Sequence, residues 1–195
     1  MAKTAAALVV AAGRGSRLAT NDNRHPKQYR LLAGRPVLTH TLIALANHPR
    51  ISKVVTVIHP EDKDLYAKAC SALHSDDLLK LADPVVGGAT RQQSVLEGLK
   101  ALAGLGIDYV LIHDAARPFV TSDVIDRLIA SLESGAEGAL AAVEVTDTMK
   151  KKPGTAGPLE TIDRTGLWAA QTPQAFPLEK ILSAHQKAAQ KGLND

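Results

Sequence analysis

Glycines set beside arginine or lysine, directly after apolar runs, are the features of this sequence best suited to chemistry. The first group is Ala11-Ala12-Gly13-Arg14-Gly15-Ser16-Arg17, followed by Pro26-Lys27-Gln28-Tyr29. Glycines after a strand let the backbone approach a phosphate and aim its N–H groups at the oxygens. The run is not a Walker loop, because the Gly-Lys-Ser/Thr ending is missing, and Leu18 stands where a dinucleotide fingerprint has its third glycine. Arg17 and Lys27 would bring two cations to the charge spread over a triphosphate. The second group is Gly87-Gly88-Ala89-Thr90-Arg91-Gln92-Gln93-Ser94. A diglycine before a Thr90-capped helix makes a seat for an anion or a ribose. Arg91 falls in the first turn, where the helix dipole disfavours a cation, which points to a local anionic partner. Ser94, one turn on, would face the same ligand.

The third group is His113-Asp114-Ala115-Ala116-Arg117-Pro118. Asp114 follows an apolar run, a common place for a carboxylate that holds Mg²⁺ beside phosphates. Ala115 and Ala116 leave room for a flat base or a sugar. The fourth is discontinuous: Val145-Thr146-Asp147-Thr148, Asp163-Arg164-Thr165 and Gln171-Thr172-Pro173-Gln174. Arg164 offers a fork for a phosphomonoester, and Thr148 and Thr172 offer hydroxyls. Taken singly, each group has an ordinary alternative. Arg17 and Lys27 read equally as solvated charges, Arg91 to Ser94 as a plain helix start, and Arg117 as a structural partner of Asp114. His113 reads as a packed hydrogen-bonding residue, and the fourth group as the surface of a hairpin.

The elements that must position these groups follow from hydrophobic patterning. Strands are expected at Ala5 to Ala11, Lys53 to Ile58, Pro84 to Val86, Tyr109 to Ile112 and Ala139 to Val145. Helices are expected at Pro36 to Asn47, Glu61 to Leu73, Arg91 to about Ala103, Ser122 to Leu132 and about Leu178 to Lys191. Leu38, Leu42 and Leu45 share one helix face, as do Val95, Leu99 and Leu102. The alternation predicts one α/β domain over residues 1–195 around a mostly parallel sheet, with ligands outside the carboxyl ends of its strands. Those ends carry the first three groups. Residues 147 to 165 break the rhythm with Lys150-Lys151-Lys152-Pro153-Gly154 and Gly157-Pro158. They read as a projecting β-arm, steadier against a second subunit than alone in water.

The 195 residues are 45% hydrophobic, 22% charged and 3% aromatic, with a formal net charge of +3. These proportions exclude disordered, collagen-like and coiled-coil classes. Few aromatics and scattered lysines argue against nucleic-acid binding, whereas a mild basic surplus suits an anionic small substrate. The single cysteine, Cys70, excludes an internal disulfide framework and reads as a small helical residue. The apolar start reads as a buried strand, not a signal peptide, and no stretch is long enough to span a membrane, so a cytoplasmic setting is expected.

In combination the motifs are far more specific. Ala-Ala-Gly-Arg-Gly-Ser-Arg, Pro-Lys-Gln-Tyr, Gly-Gly-Ala-Thr-Arg-Gln-Gln-Ser, His-Asp-Ala-Ala-Arg-Pro, Thr-Asp-Thr and Gln-Thr-Pro-Gln occur in one order. In that order the chain closely resembles the 2-C-methyl-D-erythritol 4-phosphate cytidylyltransferase family, from Ala5 to about Asp195. Val10 departs from it, at a position where the family usually has proline. The resemblance implies a Rossmann-like nucleotidyltransferase fold of the nucleotide-diphospho-sugar transferase type. It implies transfer of CMP from CTP to methylerythritol 4-phosphate, with release of pyrophosphate, on the non-mevalonate route to isoprenoids. Arg17, Lys27 and Arg164 are then the catalytic cations. Gly13 and Gly15 bring amides to the triphosphate, and Ala11, Ala12, Gly88, Ser94 and Ala115 frame cytosine and ribose. Asp114 and Arg91 complete the nucleotide side, with Mg²⁺ on Asp114. Arg117, Thr148, Arg164 and Thr172 hold the second substrate. The arm would cross the two-fold of a homodimer, so that Thr148 and Arg164 serve the neighbour's site.

The resemblance also implies that family members continue past the position of Asp195, to a lysine that helps position the substrate phosphate. Some carry a fused cyclodiphosphate synthase domain beyond it. On that reading the sequence is a fragment or has not retained the tail, and as it stands would bind CTP yet turn over poorly. Two rival readings are a ribitol 5-phosphate cytidylyltransferase of the same fold and a non-catalytic nucleotide-binding module or scaffold.

Overall fold

A computed structural model describes residues 3–14, 25–154 and 157–193 of the chain. The main sheet has six strands: β1 (Ala5–Val10), β4 (Ile51–Ile58), β5 (Val85–Val86), β6 (Tyr109–Asp114), β7 (Ala139–Glu144) and β10 (Trp168–Pro177). Their spatial order is β5-β4-β1-β6-β10-β7. From β5 to β6 all neighbours are parallel, and β10 runs antiparallel to both β6 and β7. The expected α/β class with a mostly parallel sheet is the one observed.

Strand β1 lies at the centre because its sequence has nothing to expose. Ala5 through Val9 are each 0% exposed, as an uninterrupted apolar strand covered on both faces must be. Its side chains alternate between two cores. Ala5, Ala7 and Val9 meet α1 (Val37–Ala46), α2 (Lys63–Cys70) and α5 (Ser122–Glu133). Ala6 and Leu8 meet α4 (Arg91–Leu102) and α6 (Leu178–Gln190) on the opposite face. Leu38, Leu42 and Leu45 of α1 and Val95, Leu99 and Leu102 of α4 are buried as their spacing predicts. Helix α4 approaches the sheet closely at Gly98, where a Cβ would lie 2.2 Å from Leu8 Cδ1 and 2.8 Å from Val57 Cγ2. Among the described residues no helix is long and apolar enough to cross a membrane.

Several element boundaries differ from those expected. The segment expected as one helix, Glu61 to Leu73, divides into a 3₁₀ turn at Pro60–Asp62 and helix α2, and a further helix, α3 (Ser75–Lys80), follows. A short hairpin, β2 (Leu31–Leu32) with β3 (Arg35–Pro36), precedes α1. The largest difference is β10. Gln171 to Gln174 are not hairpin surface beside the arm but part of a ten-residue strand inserted between β6 and β7. Pro173 hides this strand in the sequence, since proline cannot donate to a ladder. It is tolerated because the β7 register breaks between Ala170 and Gln174. The arm is present as a thin ribbon, β8 (Lys150–Lys151) against β9 (Glu160–Thr161), with every residue of both strands exposed.

The contact at Gly98 gives a stability prediction. Gly98→Val should lower the unfolding free energy by about 1–3 kcal/mol through overpacking against Leu8 and Val57. A urea titration would show a lower midpoint with an unchanged slope, and an unshifted midpoint would mean that the helix stands farther from β1 than described.

Candidate active site

Three loops meet at the carboxyl edge of the parallel strands. Ala11 N–H donates to Val57 O at 2.7 Å, Gly87 N–H to Ile58 O at 2.9 Å and Ala115 N–H to Val10 O at 3.1 Å. Each bond carries a ladder one residue past its strand, so the loops leave the sheet side by side. Gly87 is what lets two of them touch: a Cβ there would lie 2.7 Å from both Ala12 Cβ and Ser94 Oγ. At Gly13 the situation is reversed. Its backbone is not left-handed, and among the described residues a Cβ would meet nothing within 4 Å. None of the described residues therefore demands glycine at 13, which is in keeping with close approach of a ligand to the backbone.

The first loop is held from below by Gln28. This buried side chain donates from Nε2 to Ala11 O at 2.6 Å and to Gly13 O at 3.1 Å. Its role was not legible in advance, although it lies within the Pro-Lys-Gln-Tyr motif. It ties the 3₁₀ turn Lys27–Tyr29 to the glycine loop, so exposed Lys27 enters beside that loop. Lys27 makes no ion pair among the described residues. Gly15 and Arg17 lie outside the described residues.

On the second loop, Thr90 caps α4. Gln93 N–H donates to Thr90 Oγ1 at 3.1 Å, and Gln93 Oε1 accepts from Thr90 and Ala89 amides. This reciprocal pairing fixes the helix start. The Ser94 hydroxyl turns inward, donating to Thr90 O at 2.9 Å, and is buried. It shapes the loop beneath exposed Gly88.

The third loop carries the charge. Asp114 accepts from Arg91 Nη2 on Oδ1 at 3.3 Å and from Arg117 Nε on Oδ2 at 3.0 Å. Burial alone would raise the Asp114 carboxyl, but the Arg117 hydrogen bond and the charge and hydrogen bond of Arg91 outweigh it and hold the group below the usual carboxylate range. The alternative partnership of Arg117 with Asp114 is thus realised, and Arg91 joins it. Arg117 also bonds the Gln171 side chain.

Behind this carboxylate runs a short relay. Asp114 N–H donates to Thr172 Oγ1 at 3.2 Å, the Thr172 hydroxyl donates to His113 Nδ1 at 3.0 Å, and His113 Nε2–H donates to Arg117 O at 2.9 Å. Continuing the β10–β6 register from Gln174 opposite Ile112 sets Thr172 opposite Asp114, so its hydroxyl meets β6. Burial, then the Arg117 charge, push the His113 imidazole below its ordinary value, against the opposing pull of the Arg117 carbonyl and Asp114. A neutral ring with both nitrogens engaged holds the turn and has no free valence for proton transfer. Ala115 is buried, and its carbonyl accepts from Thr41 Oγ1 at 2.9 Å.

Thr148 and Arg164 stand apart. Both are exposed on the arm, where Arg164 bonds the Thr146 carbonyl. Among the described residues neither hydrogen-bonds to Asp114, Arg91, Arg117 or Thr172. A half-open cleft of about 790 Å³ starts at Arg117, Gln171 and Thr172 and continues along apolar Leu128, Leu140 and Trp168. Burial likewise pushes the Cys70 thiol up, against a hydrogen bond with Tyr66, in keeping with a packed helical residue.

The donors for a metal are sparse. Among the described residues no group of three His, Cys, Asp or Glu side chains could hold a metal ion. Asp114 spends one bond from each oxygen on an arginine and keeps further acceptor capacity on both. That fits a cation carried in on phosphates, which would supply its other ligands, better than a resident ion.

Comparison with known proteins gives a consistent picture. A family model described as IspD, 2-C-methyl-D-erythritol 4-phosphate cytidylyltransferase, matches residues 5–195. The chain is 51% identical over 189 residues to a bifunctional enzyme IspD/IspF of Sinorhizobium medicae, covering 96% of this chain and 46% of that protein. It is 50% identical over 196 residues to the bifunctional enzyme IspD/IspF of Rhodospirillum rubrum, covering 100% of this chain and 48% of that one. The chain thus spans about half the length of the curated relatives it matches. Among solved structures, the 4-diphosphocytidyl-2C-methyl-D-erythritol synthase of Anaerococcus prevotii superposes with a TM-score of 0.80 at 26% identity, covering 99% of this chain and 78% of that one.

The ion triad makes a pH prediction. The folded Asp114 value lies below the unfolded one, so its pairing stabilises the fold above the ordinary carboxylate value of about 3.9 and is lost as pH falls through the lowered folded value. Asp114→Asn should therefore be less stable than the unaltered chain by about 1 kcal/mol near neutral pH for a partly exposed pair. Urea unfolding across pH should show this gap closing in acid, and a gap that persists there would contradict the charge pairing.

Proposed function

Because the chain belongs to the 2-C-methyl-D-erythritol 4-phosphate cytidylyltransferase family, we propose that it transfers CMP from CTP to 2-C-methyl-D-erythritol 4-phosphate, releasing pyrophosphate, in isoprenoid precursor synthesis. The observation that carries this reading is the convergence of Ala11–Gly13, Gly87–Arg91 and Asp114–Arg117 at one sheet edge with more cations than carboxylates. In the reaction, a phosphate oxygen of the second substrate forms a bond to the α-phosphorus of CTP. The bond from that phosphorus to the oxygen bridging to the β-phosphorus breaks, and pyrophosphate leaves with the electron pair. The nucleophile is already an anion, so no side chain need take a proton from it. The buried, doubly engaged His113 is in keeping with that. What remains is positioning and neutralisation of charge.

On this reading Ala11, Ala12, Gly13 and Gly88 give the nucleotide its backbone seat, with Ser94 and Ala115 shaping it. Gly15 would add a further amide. Arg91 meets the phosphates, and Lys27 and Arg17 stabilise the pentacoordinate phosphorus. Arg117 and Thr172 face the methylerythritol phosphate. Thr148 and Arg164 would complete the partner's site in a homodimer, which accounts for their standing apart on an exposed arm. A magnesium ion would enter as part of the CTP complex and touch Asp114, supplying charge neutralisation on the phosphates. The bifunctional relatives suggest a cyclodiphosphate synthase unit as a fused partner. A cytoplasmic setting suits the phosphorylated substrates and the lone cysteine.

Pyrophosphate release tests the proposal. With CTP and methylerythritol phosphate the signal should exceed that with other nucleoside triphosphates or with ribitol 5-phosphate. A preference for ribitol phosphate would move the chain to the rival substrate. Lys27→Ala should lower turnover roughly 10²–10³-fold while leaving CTP binding within several-fold, and an unchanged turnover number would remove Lys27 from the mechanism. Deleting residues 150–158 should shift sedimentation from dimer towards monomer, because an isolated two-stranded ribbon gains little from itself in water. An unaltered profile would count against the arm as the dimer contact.

A further inference from the structure

Arg14 sits in the glycine loop, and its side chain is bound to the turn at the carboxyl end of β4. Its Nη1 donates to Asp62 Oδ1 at 3.0 Å, and its Nη2 donates to His59 Nδ1 at 2.6 Å and to the Glu61 carboxylate. His59, Glu61 and Asp62 all belong to the turn that follows β4. Of the two carboxylates, Glu61 is largely exposed, whereas the Asp62 side chain is 2% exposed. Asp62 Oδ2 has no hydrogen-bond partner among the described residues, and neither has the buried Tyr29 hydroxyl. The Asp62 charge is felt at Tyr29, where after burial it is the next influence pushing the phenol upward. Tyr29 ends the turn that carries Lys27. The buried Asp62 carboxylate is thus bonded to Arg14, and its charge reaches the turn that carries Lys27.

We propose that Arg14 is a positioning residue for the nucleotide-binding segment: its ion pair with the buried Asp62 anchors the Gly13 backbone to the β4–α2 turn, so that residues 11–14 are ordered before CTP arrives. A buried carboxylate needs such a partner, and a fork-shaped guanidinium bonds the carboxylate and the imidazole from separate nitrogens in fixed geometry, whereas an ammonium offers its three donors from a single atom. The pairing complements Gln28, which grips the same loop from its carbonyl side. The inference rests on the reading that Ala11–Gly13 seats a nucleotide. It concerns a residue outside the proposed catalytic cations.

The test uses Arg14→Met, Asp62→Asn, their double variant and Arg14→Lys in the full chain. CTP dissociation is measured by calorimetry with magnesium present, alongside KM for both substrates. Each single neutralisation should weaken CTP about tenfold, the equivalent of leaving one residue's backbone to be ordered on binding. The double variant should be no weaker than the worse single, the mark of groups acting through one another. KM for methylerythritol phosphate should not move, and Arg14→Lys should recover part of the loss. Weakening by Arg14→Met with unchanged or tighter binding in Asp62→Asn would overturn the proposal, because Arg14 would then be acting on the triphosphate itself. So would additive losses, or no loss in either single variant. Amide hydrogen exchange separates this from the proposed function. Should the unaltered chain bind no nucleotide, the functional reading fails, yet Arg14→Met must still speed exchange at residues 11–14, and unchanged exchange there would overturn the anchor.

Discussion

The N–H of Ala11 donates to the Val57 carbonyl, that of Gly87 to Ile58 and that of Ala115 to Val10. These bonds lie beyond the last paired residue of each strand, where a sheet normally gives way to independent loops. By continuing the ladders they bring three chain segments, far apart in sequence, out of the sheet in step. Everything at the edge depends on this registration. The contact of Gly87 with Ala12 needs it, and so does the reach of Arg91 to Asp114 across two strands. Small residues at 11, 12, 87, 88 and 115 leave the backbone as the lining. The side chains that do project are then few and charged.

Asp114 has a particular place in that balance. It is a half-buried carboxylate bridging two guanidinium groups, each from a different loop. Two arginines facing an open edge without it would repel one another and lose their orientation. With it they are held in fixed geometry, and Arg117 bonds Gln171 through a further donor of its fork. On the proposed function, an incoming polyanion would meet arginines whose conformational freedom is already restricted. The relay through Thr172, His113 and the Arg117 carbonyl sets the position of the same turn from behind, so its geometry is specified from two directions.

Much of this arrangement was readable from residue types. The strands carrying the loops announce themselves as apolar runs, and glycine, arginine and aspartate at their ends mark the edge. The ion triad was half-visible, since Arg117 stands three residues from Asp114, whereas Arg91 comes from a separate element and its meeting with Asp114 required the fold. Gln28 gave no signal, because an amide bonding backbone carbonyls has no characteristic spacing. Strand β10 was hidden for a different reason. Its polar Gln-Thr-Pro-Gln core and its prolines look like a turn, and only the local break in pairing with β7 makes room for them. Thr148 and Arg164 stand on the exposed arm, away from the other candidates, and no spacing in the sequence announces that separation.

The insertion of β10 between β6 and β7 also bears on how the molecule comes into being. Strands β6 and β7 are consecutive among the six, yet neither pairs with the other. The sheet beyond β6 closes only after the polypeptide has doubled back through the arm, so these pairings span large sequence separations and carry a loop-closure cost before any contact rewards it. During synthesis, the half containing β1, β4 and β5 can assemble while the wall bearing Thr172 is still unmade. The edge of β6 meanwhile stays uncovered, a row of vacant donors and acceptors open to pairing with a neighbouring nascent chain.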